Sequence, residues 1–182
     1  MNGLTWFWPG VIVSVVVSLF LAAPTARVLR SRGSVVWLLM FSLGVILAAT
    51  LTPIHAPNGI DTSSMRPCDL SRHWFASQAE IGAITDVSLN IALFIPFGFA
   101  IALLPVSRRK FAIVAVAGGL PFAIEGLQYL VPMLARGCQS SDIIDNLTGL
   151  VAGLAAGTIV GWIVSRARSR IGTGSGDDTA RS

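Results

Sequence analysis

Charge is what this chain has least of. Its 182 residues include nine acids and thirteen lysines or arginines, 12% together, while apolar residues reach 53% and the mean hydropathy is +0.73. An ordinary soluble domain carries about a quarter charged residues, so water is excluded as the main solvent. Histidine and cysteine are scarce too: His55, His73, Cys68 and Cys138 are all there is. Neither histidine has an acidic neighbour at ligand spacing, and the usual zinc patterns are missing. No metal and no cofactor is expected, and the histidines read as loop residues. Also absent are a serine or cysteine nucleophile with a paired histidine, and a phosphate-binding glycine loop. Alternation of apolar with polar residues is absent from the long apolar runs, which excludes a membrane barrel.

What is there is five apolar runs, Leu4–Ala23, Val35–Ile54, Ile84–Leu104, Phe111–Val131 and Ile143–Val164. Each is near the ~20 residues that a helix needs to cross a ~30 Å hydrocarbon layer. The expected fold is an all-α integral membrane protein, a bundle of five transmembrane helices. Ten cations (Arg27, Arg30, Arg32, Arg108, Arg109, Lys110, Arg166, Arg168, Arg170, Arg181) fall on one side, and three (Arg66, Arg72, Arg136) on the other. Cations collect in cytoplasmic loops. The amino terminus is thus expected outside and the carboxy terminus inside, in a plasma membrane. No cation precedes Arg27, which argues against a cleaved signal peptide. The pI of about 10.0 reflects these topology charges, and no nucleic-acid partner is expected. The chain divides into an anchor helix with its basic loop (1–34), a membrane domain (35–164) and a basic tail (165–182), with disorder expected beyond about Gly172.

The intramembrane polar residues gather toward the outer ends of the last three runs. Asp86 and Asn90 are four apart, and Glu125 and Gln128 three apart, so each pair shares a helix face. An ionisable side chain at the depth of Glu125 is costly and defaults to a functional reading, a protonated helix bridge being the structural one. Asp142 reads as the N-cap of the fifth helix, with Asp145 in its first turn, where negative charge suits the helix dipole. Capping leaves Asn146 unexplained. Gly149, Gly153, Gly157 and Gly161 recur every fourth position, which lets helices pack closely, most simply within one chain. Pro96 and Pro121 are expected to kink their helices. Arg136, in the turn before the fifth helix, is read as the cation among the carboxylates of Asp86, Glu125, Asp142 and Asp145. Cys68 and Cys138 share the outer face, where thiols commonly pair; a disulfide and two separate thiols both remain open.

Asp86-x3-Asn90-x3-Phe94-x-Pro96-x-Gly98, then Glu125-x2-Gln128, Arg136, and Asp142-x3-Asn146-x2-Gly149-x3-Gly153, resembles the pattern of the VanZ-like family. The resemblance covers about Val36 to Gly161, with Gln139 a departure in the turn. It implies a bacterial multi-pass membrane protein, and the founding member of that family is linked to low-level teicoplanin resistance.

Two functions follow as expectations. In the first, Asp86, Asn90, Glu125, Gln128, Arg136, Asp142 and Asn146 form an outer-leaflet cup. Its partner, besides the bilayer, is a lipid-linked cell-wall precursor, another head group or a glycopeptide-type drug, and binding contributes to antibiotic tolerance. In the second, a membrane enzyme modifies a lipid head group with Glu125 or Asp142 as general base. Transport ranks last, because the inner halves of the runs carry no ionisable residue.

Overall fold

The computed structural model describes residues 6–53, 68–72, 74–77, 79, 81, 86–134 and 137–173. Among the described residues the fold has five α-helices: α1 (Phe7–Leu29), α2 (Gly33–Leu51), α3 (Asp86–Ala102), α4 (Arg108–Leu130) and α5 (Ser140–Thr173). A 3-10 turn, Pro132–Leu134, lies between the last two. Among the described residues there is no strand, only an isolated bridge between Asp69 and Gln139. Four helices among the described residues are long and apolar enough to cross a membrane. The fifth, α3, covers 17 described residues, or about 25 Å at 1.5 Å per residue; it ends at Ala102, two residues before the Leu104 expected from the sequence, and residues 84 and 85 of the expected run lie outside the described residues.

Local chemistry explains where the helices begin and end. Arg30 closes α1 in the left-handed region, φ 52°, and the Ser31 N–H reaches back to the Ala26 carbonyl at 3.0 Å. Glycine usually fills such a position. Ser107 caps α4 by accepting the Lys110 N–H at 3.2 Å. Buried hydroxyls inside the helices return to their own backbone: Ser14 to Gly10, Ser42 to Leu38 and Thr50 to Ile46, each at 2.7 Å. This satisfies them without a partner helix. Pro24, Pro96 and Pro121 all lie inside helices that continue on both sides.

Packing follows the small residues. α1 and α2 run antiparallel, with Gly10 against Ala48 and Ser14 against Gly44. α3 and α5 are the most intimate pair. Gly149 faces Ile91, Gly153 faces Ile95 and Gly157 faces Phe99, so residue numbers rise together and the two helices run parallel. Gly98 on α3 answers with the backbone of Leu150 and Leu154. The glycine ladder therefore works within the chain. Phe94, Ile101, Val36, Ile46, Ile124 and Leu150 fill the core between α2, α3, α4 and α5. Apolar side chains such as Phe20, Ile12 and Trp8 on α1 and Phe122 on α4 point outward, as lipid-facing residues do.

One end of the bundle is basic. Arg109 donates to the Val28 carbonyl, and Lys110 Nζ donates to the carbonyls of Ala102 (2.6 Å) and Leu104 (3.1 Å). The α1–α2 turn and the start of α4 thus meet at the end of α3. Thr50, Asp86, Gln128 and Ser140 mark the opposite end. Two boundaries differ from the sequence reading. α5 starts at Ser140, so Asp142 lies within its first turn and is not its cap, and Asp145 lies beyond that turn. Helix geometry also continues past Val164 to Thr173; residues 174–182, on which most of the expected disorder falls, lie outside the described residues.

Candidate functional site

A strap from the segment before α3 lies across the start of α5. Cys68 and Cys138 form a disulfide that closes a separation of 70 residues. Beside it the Asp69 N–H donates to the Cys138 carbonyl, and the Ser140 N–H to the Asp69 carbonyl, both at 2.9 Å. The Ser140 hydroxyl then donates to the Arg72 carbonyl at 2.6 Å. These bonds explain why α5 begins at Ser140: the strap occupies the backbone groups that precede it.

The strap delivers a cation. Arg72 grips Asp145 with both guanidinium nitrogens, Nη1 at 3.1 Å from Oδ2 and Nη2 on Oδ1. Asp145 is 1% exposed. A carboxylate so far from water costs several kcal/mol unless an opposite charge with good geometry faces it, and the bidentate fork of arginine supplies that. Sequence reasoning had made Asp145 part of the helix start, and Arg72 only an outer-side charge. Among the described residues the cation in this cluster is Arg72; Arg136, read from the sequence as that cation, lies outside them, as do His55 and His73.

Beneath the strap the polar groups are buried. Glu125, about three-quarters of the way along α4, accepts the Gln139 N–H on Oε2 at 2.8 Å. Gln128, one turn on, donates to the Thr50 carbonyl at 2.8 Å. That carbonyl is among the last four of α2, which have no partner inside their own helix. Asn146 is 1% exposed, and its Oδ1 has no hydrogen-bond partner among the described residues. Setting aside the hydroxyls bonded to their own helices, the buried polar side chains among the described residues are Glu125, Gln128, Asp145 and Asn146. All four lie at the strap end.

Above them an open cleft of 290 Å³ is lined by Asp69, Ser71, Arg72, Asp86, Val87, Gln139, Ser141 and Asp142. The Ser71 side chain, and then its N–H, hold the Asp69 carboxyl below its usual range. With Arg72 engaged by Asp145, the lining is acidic. Asp86 and Asp142 open onto the cleft, and Asn90 and Asn146 follow them one helical turn inward. Asn90 is half-buried. Glu125 and Gln128 do not line the cleft, so Glu125 acts on the Gln139 backbone and through it on the rim. Among the described residues no group of three or more His, Cys, Asp or Glu side chains could hold a metal.

The model of the VanZ/LLP1 family matches residues 11–163. No curated protein and no solved structure matches the chain.

Proposed function

The chain belongs to the VanZ/LLP1 family, and from that premise we propose that it is a cell-envelope protein of the bacterial plasma membrane whose strap-covered polar end faces outward and binds a head group. The ligand class is a lipid-linked or cell-wall-related head group or a glycopeptide-type drug, and binding contributes to antibiotic tolerance. One observation carries this reading: Glu125, Gln128, Asp145 and Asn146 are buried together beneath a cleft that opens at the same end. Buried polar groups at membrane depth are expensive and are kept where they serve a site.

Two features support the outward orientation. Arg27, Arg30, Arg32, Arg108, Arg109 and Lys110 lie at the far end of the bundle, which suits the cytoplasmic side. A disulfide at the polar end suits an oxidising compartment. Expression of Glu125→Gln and Arg72→Gln at wild-type levels in a bacterial host tests the function. Teicoplanin susceptibility is expected to rise toward that of cells without the protein; unchanged susceptibility in both variants defeats the proposal.

A second reading, a membrane enzyme with a carboxylate general base, draws on Asp142. Of the two acids considered for that role, Asp142 lines the cleft and Glu125 does not. Turnover of labelled outer-leaflet lipids by purified protein, abolished by Asp142→Asn, would favour this reading over simple binding.

A further inference from the structure

The disulfide, the strap and the buried ion pair form one mechanical series. Cys68 is fixed to Cys138. The next residue, Asp69, pairs with the backbone on both sides of Gln139. Three residues later, Arg72 is tied by its carbonyl to Ser140 and by its guanidinium to Asp145. Gln139, in the middle of this series, gives its own N–H to Glu125. These polar links from the strap to the membrane interior pass through the three residues Cys138, Gln139 and Ser140, or through Arg72.

We infer that the Cys68–Cys138 disulfide is a redox latch that assembles the polar end: oxidation seats Arg72 on Asp145, and reduction releases the strap and dismantles the cleft. Leu70, Trp74 and Phe75 are 68%, 60% and 75% exposed, so packing inside the bundle does not fix these side chains. Besides the disulfide, the links named above are the short bridge at Asp69 and Gln139, one hydroxyl bond and an ion pair. An ion pair whose arginine sits on a free-swinging segment must also offset the cost of ordering that segment. Asp145 would then lose the guanidinium that faces it while remaining inside the bundle.

The chemistry is a two-electron exchange. Dithiothreitol supplies two electrons and two protons, the Sγ–Sγ bond breaks into two thiols, and the reagent leaves as its cyclic disulfide. In the cell the reverse step needs a disulfide-bearing oxidant that takes the two electrons by thiol–disulfide exchange. The cleft would accordingly form only after the strap reaches an oxidising compartment. This inference does not depend on what the cleft binds.

The test uses the full chain purified in detergent, folded and oxidised, so that no variant has to fold without its disulfide. Hydrogen exchange is followed by mass spectrometry before and after treatment with dithiothreitol. Reduction is expected to speed exchange roughly tenfold or more in peptides covering 68–72 and 137–141, and to leave α1 and α2 unchanged. Equal protection before and after overturns the latch. Faster exchange throughout overturns it too, because the disulfide would then be a staple for the whole bundle. A second measurement checks the coupling. Reduction should lower the melting midpoint of the wild type by at least about twice as much as that of Arg72→Gln/Asp145→Asn, in which the pair is already gone. Equal decreases in the two proteins would show independent contributions and defeat the inference.

Discussion

Gly149 of α5 lies against the carbonyl of Ile91 on α3, and a Cβ built at that glycine would collide with it. One turn further, Gly153 stands in the same relation to Ile95, where an added Cβ would also come within 2.8 Å of the Phe99 nitrogen. The obstacle in each case is backbone, which has no rotamer to change. Without a hydrophobic force between helices in lipid, such close approach is what holds α3 to α5.

Gly149→Ala and Gly153→Ala are therefore expected to lower stability by about 1–3 kcal/mol each, the range for overpacking a tight contact. Gly118→Ala and Gly126→Ala make the comparison, since nothing lies within 4 Å of a Cβ at either position. These should be neutral or stabilising by up to about 1 kcal/mol, because alanine restricts the helix less unfavourably than glycine. Thermal midpoints in one detergent decide the matter, and equal effects at all four positions would contradict the packing.

Asn146 invites the opposite experiment. Its Oδ1 is buried without a hydrogen-bond partner among the described residues, a condition that costs about 1–3 kcal/mol. Asn146→Leu should thus leave stability unchanged or raise it by about 1 kcal/mol, while resistance in cells falls. A stabilised protein with lost activity would mark Asn146 as a residue kept for its site. A large loss of stability would mean that the side chain is structural.

Gln128 ties two helices at one point. Gln128→Leu removes the donor to the Thr50 carbonyl and should cost about 0.6–2 kcal/mol, the span measured for interhelical hydrogen bonds in membranes. Gln128→Glu is expected to be worse, because an ionised carboxylate would face the carbonyl oxygen. Chemical unfolding in mixed detergent measures both.

Orientation is open to direct labelling. Ser77 and Ser107 are both exposed and lie toward opposite ends of the bundle. In intact cells a membrane-impermeant thiol reagent should modify Ser77→Cys and leave Ser107→Cys untouched until the membrane is opened. The reverse pattern would invert the topology and remove the basis for an outward-facing cleft.

The fold was legible because its determinants are local. Apolar runs mark the helices, and the four-residue spacing of Gly149, Gly153 and Gly157 marks the face that approaches a neighbour. The candidate site was only half legible. Glu125, Gln128 and Asn146 stand out as polar residues among apolar ones. Arg72 did not, since its partner is 73 residues away and nothing in its own surroundings separates it from an ordinary loop arginine. Asp145 was misread for the same reason: a carboxylate near a helix start has a sufficient local explanation until the strap is seen. The start of α5 moved from Asp142 to Ser140 because backbone bonds from Asp69 organise that turn, a tertiary effect that no capping pattern contains.

The parallel run of α3 beside α5 has a consequence for biogenesis. At 17 residues, with Asp86 and Asn90 at its start and Pro96 inside it, α3 is the helix least able to remain in a bilayer alone. The helix it packs against most intimately, α5, is synthesised later, and a full crossing by α4 separates the two. Truncation before Ser140 should then leave a chain that inserts poorly and is degraded, even though α1 to α4 are complete.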